Sequence, residues 1–157
     1  KTLAPGFRVG WIQPGRYREA VRHMKFMTSI ATSTLPQMAI AHFLESGEYD
    51  RHLRQYRQTL RVNSLKMAQA IAANFPKETR ITQPQGGIVI WVELPSKIDS
   101  VILHQQSLVK QVLVSPGVIF SASSMFQNCL RLNYAFHWNE QAEQAIQKLG
   151  KLCVALI

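Results

Sequence analysis

The chain opens with KTLAPGFRVG (Lys1–Gly10), which places a primary amine, a Pro-Gly pair and an arginine close together in sequence. Pro5 and Gly6 are typical of a loop, whereas the mainly apolar residues from Phe7 to Ile12 include Val, Trp and Ile, which favour a strand. We therefore predict a loop that returns into a strand. Arg8 is expected at the start of that strand.

Two later segments also have the pattern of strands. In QGGIVIWVELP (Gln85–Pro95) a nearly unbroken apolar run follows two glycines and ends at proline, as expected of a strand covered on both faces. In NCLRLNY (Asn128–Tyr134) apolar residues alternate with Arg131 and Asn133, which predicts a half-buried strand with polar groups on one face.

Arg131 stands in mid-strand between apolar neighbours, so it needs a partner if it is buried. An unpaired buried guanidinium costs several kcal/mol. A carboxylate ligand that accepts two parallel hydrogen bonds is the natural partner. A salt bridge to an internal Asp or Glu is the alternative.

The clearest periodic segment runs from Glu48 to about Asn74 and predicts a helix roughly 40 Å long, at 1.5 Å per residue. That length suits a connector between two lobes. Its apolar stripe consists of Tyr49, Leu53, Tyr56, Leu60, Met67 and Ile71. Another side carries a basic stripe of Arg51, Arg54, Arg57 and Arg61, for which a solvated face or a contact with DNA or a DNA-binding domain can account.

Net charge, the placement of cysteine and histidine, and the lack of a long apolar run limit the partners and the location that the protein can have. The net charge of +9 attracts phosphates, nucleic acid or acidic partners without distinguishing among them. Cys129 and Cys153 lack metal-ligand spacing and the five histidines are scattered, so we expect no metal site. The sequence lacks an apolar run of about 20 residues, an initial Met and a signal peptide. We expect a cytoplasmic protein without a membrane segment, of which this chain is a part.

The quoted motifs resemble those of one enzyme class. Residues 1–10 resemble the aminotransferase segment that supplies the cofactor-binding lysine and, seven residues on, a phosphate-binding arginine. Gln85–Pro95 resembles the Gly-Gly strand of the small domain, and Asn128–Tyr134 the strand whose arginine binds the substrate α-carboxylate. With Pro116–Ser121 (PGVIFS), the chain is most similar to MocR-type members of the GntR regulators, which join a winged-helix DNA-binding domain to an aminotransferase-like domain.

The resemblance implies a cofactor, pyridoxal 5′-phosphate (PLP), and a role for three residues. Lys1 would bond to the cofactor aldehyde and later act as general acid/base at the substrate Cα. Arg8 would hold the cofactor phosphate, and Arg131 the substrate carboxylate. In the family, the aromatic residue and the Asp that contact the pyridine ring precede the lysine. The chain alone is therefore expected to bind PLP poorly and not to transaminate.

The resemblance also implies the fold. Residues 1–47 would end the large PLP-binding domain of an α/β parent, residues 48–74 would form the long interdomain helix, and residues 75–157 would form the small C-terminal α+β domain of a fold-type-I aminotransferase.

Three functional classes remain open from the sequence. The first is a PLP-dependent, aminotransferase-like transcriptional regulator that binds an amino acid, forms a homodimer and contacts DNA through an N-terminal domain. The second is a free-standing class I/II aminotransferase that transfers an amino group to a 2-oxo acid. The third, suggested only by the charge, is a basic nucleic-acid-binding module.

Overall fold

The computed structural model describes residues 1–157 and divides into two compact units, Lys1–Arg57 and Gln58–Ile157. The helices are α1 (Arg18–Ser29), α2 (Thr34–Glu45), α3 (Glu48–Asn74), α4 (Ser100–Val109) and α5 (Glu140–Ala155), with 3-10 turns at Pro5–Phe7, Gly15–Tyr17 and Gly117–Phe120. The strands are β1 (Arg80–Ile81), β2 (Val89–Glu93), β3 (Ser115–Pro116) and β4 (Cys129–Asn133). The predicted long helix is confirmed, since α3 has the expected bounds. No helix is both long and apolar enough to cross a membrane.

The first unit contains helices and turns but no strand, so the strand predicted from Phe7 to Ile12 is wrong. The chain forms a 3-10 turn up to Phe7, and Arg8 ends that turn in the left-handed conformation (φ 55°). Apolar, β-branched residues favour a strand only where a neighbouring strand can take their backbone hydrogen bonds. No such neighbour lies in this unit.

The second unit is built on a four-stranded sheet with the order β1-β2-β4-β3, and all of its pairs are antiparallel. The central pair, β2 and β4, is in register over five residues, from Val89 opposite Asn133 to Glu93 opposite Cys129. Strand β3 pairs with β4 through Ser115, which lies opposite Arg131, and Pro116, which lies opposite Leu130.

Helices α3, α4 and α5 and one face of this sheet supply the core of the second unit. Its most buried side chains include Met67, Val92, Leu103, Leu130 and Leu149. The expectation that the β2 segment is covered on both faces is wrong. Its Ile90 and Val92 are buried, while Trp91 is half-buried and Glu93 exposed, as in a strand with one solvated face.

Local features fix the ends and the packing of the helices. Asp99 caps α4, because its carboxylate accepts hydrogen bonds from the backbone N–H groups of Val101 (2.7 Å) and Ile102 (3.3 Å). Asn139 caps α5, because its side-chain oxygen accepts a hydrogen bond from the backbone N–H of Ala142 (3.0 Å). Gly150 of α5 packs directly on the end of α3, where an added Cβ would lie 2.4 Å from the Asn74 carbonyl oxygen.

The α+β class is confirmed for the second unit by its sheet and the three helices. The division between the two units falls within α3, after Arg57. The assignment of residues 1–47, 48–74 and 75–157 to three parts of a larger enzyme fold stays a prediction.

Candidate functional site

Arg131 lies in the middle of β4, opposite Trp91 of β2 and Ser115 of β3. Leu130 and Leu132 point into the core, and Arg131 is exposed on the other face of the sheet. Arg131 is therefore not buried, because strand alternation places its side chain on the face of the sheet away from Leu130 and Leu132. The predicted alternation itself is confirmed.

Arg131 rests on an aromatic side chain. Its guanidinium carbon lies 4.4 Å from the centre of the Phe120 ring. The ion pairs of the chain are Arg22 with Glu19 and Arg80 with Glu93, so the internal salt bridge considered for Arg131 is not formed. Its cationic group is therefore held in place without being neutralised, which leaves its donors available to a carboxylate.

The Phe120 ring belongs to an aromatic cluster of Trp91, Phe120 and Phe126. Trp91 packs edge-to-face against Phe120 (5.7 Å between centroids, 68°) and against Phe126 (5.4 Å, 86°). The two phenylalanines have similar exposure, 40% and 42%. Only Phe120 lies under the guanidinium.

The loop that carries Phe120 and Phe126 is closed by a tight backbone approach at Gly117. A Cβ on this buried glycine would lie 2.4 Å from the Phe126 carbonyl oxygen. The Ser121 hydroxyl accepts hydrogen bonds from the backbone N–H groups of Ser123 (3.2 Å) and Met125 (3.3 Å). Phe120 and Phe126 therefore project from one tightly bonded turn.

Two buried side chains fasten the end of β4, and sequence reasoning missed both contacts. The Nδ2 group of Asn63 in α3 donates to the carbonyl oxygens of Tyr134 (2.9 Å) and Phe136 (2.7 Å). The Tyr134 hydroxyl donates to the Gly87 carbonyl oxygen (3.1 Å). The available signal was a polar residue, Asn63, on the apolar stripe of a predicted helix.

Lys1 and Arg8 lie in the first unit, and both are exposed. Neither takes part in an ion pair. The opening segment is tied to α3, because Thr2 forms hydrogen bonds through its hydroxyl with the Tyr49 hydroxyl (3.0 Å) and through its carbonyl oxygen with His52 Nε2 (2.7 Å). Since Arg131 belongs to the second unit, the joint action of the three predicted residues stays a prediction.

The buried thiols are not suited to nucleophilic chemistry. Burial, and then the charge of Glu93, raise the pKa of the Cys129 thiol. Burial raises the pKa of the Cys153 thiol to about 12. Both thiols therefore stay protonated at neutral pH, and the thiolate is the reactive form. No group of three or more His, Cys, Asp or Glu side chains is arranged to hold a metal ion.

The sequence profile of the family described as aminotransferase class I and II matches residues 2–149. The chain belongs to this family. The resemblance inferred from the motifs at Lys1–Gly10, Gln85–Pro95 and Asn128–Tyr134 is thus confirmed.

Relatives of this family member include two kinds of protein. The chain is 40% identical over 151 residues to the uncharacterized HTH-type transcriptional regulator YjiR of Escherichia coli, covering 96% of this chain and 32% of that protein. It is 31% identical over 159 residues to the 2-aminoadipate transaminase of Thermus thermophilus, covering 100% of this chain and 40% of the enzyme. The chain thus spans about a third of the regulator and two fifths of the enzyme.

Solved aminotransferase structures share its fold. The α-aminoadipate aminotransferase LysN of Thermus thermophilus, complexed with N-(5′-phosphopyridoxyl)-L-leucine, matches with a TM-score of 0.86 at 31% identity, over 99% of this chain and 40% of that one. The kynurenine aminotransferase of Pyrococcus horikoshii matches with a TM-score of 0.84 at 29% identity, over 99% and 39%. The fold expected from the sequence, a portion of a fold-type-I aminotransferase, is confirmed.

Proposed function

We propose that this chain is the C-terminal part of a PLP-dependent, aminotransferase-like transcriptional regulator that binds an amino acid. The observation that carries the proposal is Arg131, held on an aromatic ring without an acidic partner, in a chain of the aminotransferase family. The regulator reading is supported by the 40% identity to YjiR and the 34% identity to the HTH-type regulator YdcR of Escherichia coli.

The residues of the chain fit PLP. An aldehyde cofactor needs a primary amine, and its phosphate needs a fixed cation close by. Lys1 supplies the amine and Arg8 the cation, and both are exposed and neither is neutralised by an ion pair. The hydrogen bonds that Thr2 forms with Tyr49 and His52 hold the backbone next to Lys1.

The proposal gives each of the three residues a role. Lys1 would hold the cofactor through its amine and would move a proton at the amino-acid Cα. Arg8 would donate hydrogen bonds to the cofactor phosphate, and Arg131 would donate two to the amino-acid carboxylate. When bound, PLP supplies the electron sink that stabilises negative charge at Cα.

The partners follow from the same proposal. The amino acid acts as effector or substrate, the full-length protein forms a homodimer, and DNA is bound through a domain outside this chain. The protein works in the cytoplasm.

A free-standing aminotransferase is the second candidate, favoured by the TM-score of 0.86 and the 31% identity to LysN. The two candidates differ in what the remainder of the full-length protein contains. A winged-helix segment, together with duplex DNA binding that responds to an amino acid, supports the regulator. The absence of a winged-helix segment, together with turnover of an amino acid and a 2-oxo acid, supports the enzyme.

The cofactor assignment is tested with the full-length protein carrying Lys1→Ala. We expect the wild type to show a visible absorption band that borohydride removes, and the variant to lack it. Lys25→Ala, on the exposed surface of α1, is the control and keeps the band. A band that persists in Lys1→Ala refutes the role of this lysine.

The carboxylate assignment is tested with Arg131→Ala in the same protein. We expect loss of amino-acid binding and retention of the cofactor. Unchanged amino-acid affinity would contradict the role of Arg131.

A further inference from the structure

A guanidinium on an exposed strand face has several rotatable bonds and samples many positions unless a contact restrains it. Arg131 has such a contact, with its guanidinium carbon 4.4 Å from the centre of the Phe120 ring. A carboxylate partner would also restrain it, but would occupy the donors that a ligand needs. An aromatic face restrains the cation through its quadrupole and leaves the edge donors open.

Phe120 is itself held in place. Its ring packs edge-to-face on Trp91, which is half-buried and directly opposite Arg131 in the sheet. Its backbone ends the 3-10 turn that begins at Gly117, where a Cβ would lie 2.4 Å from the Phe126 carbonyl oxygen. The position of the ring is therefore determined by the sheet and the loop together.

We propose that Phe120 is a positioning residue for Arg131, which orients the guanidinium for a carboxylate ligand. This inference rests on the proposed function, since it assumes that Arg131 binds the amino-acid carboxylate. Phe120 acts through Arg131 and not by neutralising charge. Its loss is expected to weaken the binding of ligands that carry a carboxylate and to spare ligands that lack one.

The chain offers a matched control in Phe126. This phenylalanine packs on the same Trp91 in a similar edge-to-face geometry and has nearly the same exposure, but Arg131 lies over Phe120. A purely structural contribution of the aromatic cluster predicts similar effects for Phe120→Leu and Phe126→Leu. A positioning role predicts an effect of Phe120→Leu alone.

The experiment uses the full-length protein loaded with PLP and probes it with L-leucine, L-glutamate and L-phenylalanine and with the α-amide of each. Binding is followed by the change in the visible spectrum. We expect Phe120→Leu to weaken binding of the amino acids about 3- to 10-fold, the range of an exposed to partly desolvated cation–π contact, and to leave binding of the amides and of PLP within about 2-fold. Phe120→Tyr, which keeps an aromatic face, restores amino-acid affinity.

Several results would overturn the proposal. Equal weakening of amino acids and amides, equal weakening by Phe126→Leu, or no weakening by Phe120→Leu would each exclude a positioning role. Should Phe120→Leu fail to fold, as judged from its thermal unfolding, Phe120→Met replaces the ring with a side chain of similar length and is read in the same way.

Arg131→Ala separates this inference from the proposed function. If Arg131→Ala abolishes amino-acid binding while Phe120→Leu leaves it unchanged, the positioning role alone fails. If Arg131→Ala leaves amino-acid affinity unchanged, or if no probe binds the wild type, the proposed function fails and the inference fails with it.

Discussion

Asn63→Ala is expected to loosen the end of the strand that carries Arg131. Asn63 lies on the buried side of α3 and is only 4% exposed. Its Nδ2 group donates to the carbonyl oxygens of Tyr134 at 2.9 Å and Phe136 at 2.7 Å, both more than 70 residues away in sequence. These two hydrogen bonds fasten the segment after β4 to the helix.

The magnitude follows from the number of hydrogen bonds. Each contributes a net stabilisation of about 0.5–1.5 kcal/mol. Removing both lowers the free energy of unfolding by about 1–3 kcal/mol. The better helix propensity of alanine offsets a part of this loss, by about 0.7 kcal/mol at most.

Asn74→Ala is the matched control, because Asn74 lies on the same helix and its Nδ2 group donates once, to Ala70 of the same helix (2.8 Å). This variant loses only one hydrogen bond, which lies within the helix and does not reach the segment after β4. Both variants are unfolded in urea and followed by far-UV circular dichroism. Equal losses in the two variants would refute the view that Asn63 links α3 to the segment after β4.

Three further changes test the packing, capping and burial described above. Gly150→Ala places a methyl group 2.4 Å from the Asn74 carbonyl oxygen, so the free energy of unfolding should fall by about 1–3 kcal/mol. Gly86→Ala is the control, because no atom lies within 4 Å of its new Cβ, and it should leave thermal unfolding nearly unchanged. Asp99→Ala removes the cap of α4 and should lower the free energy of unfolding in urea by about 1 kcal/mol. Asp99→Asn should keep most of the capping stabilisation, and equal losses of stability in the two variants would contradict capping. Burial raises the pKa of Cys153 from 9.0 to about 12, so above pH 9 the unfolded chain loses a proton that the folded protein keeps and stability falls as the pH rises. Cys153→Val should therefore lose less stability between about pH 8 and about pH 10.5 than the wild type, and an equal loss would count against this burial effect.

The helices could be predicted from the sequence because their signals are local. The apolar stripe of α3 lies within that helix, and the cap of α5, Asn139, directly precedes its first residue. Strands depend on partners far away in sequence. Phe7–Ile12 has strand-forming residues but no partner, whereas Ser115–Pro116 pairs with β4 despite its proline.

The candidate site could be predicted only in part. Arg131 was recognised from its motif, but its exposure depends on which face of β4 meets the core. The contact with Phe120 depends on the course of the loop between Gly117 and Phe126, which carries no periodic signal. The hydrogen bonds of Asn63 join residues more than 70 positions apart, and no local pattern encodes such a pair.

The two edge strands of the small sheet, β1 and β3, are each two residues long, and β3 contains Pro116, which has no backbone N–H. Such short edge strands expose few free donors and acceptors to a strand from another molecule. Arg80 adds a charge on the edge strand β1. The sheet is therefore poorly suited to growth by edge-to-edge addition, which protects the second unit against aggregation through its strands.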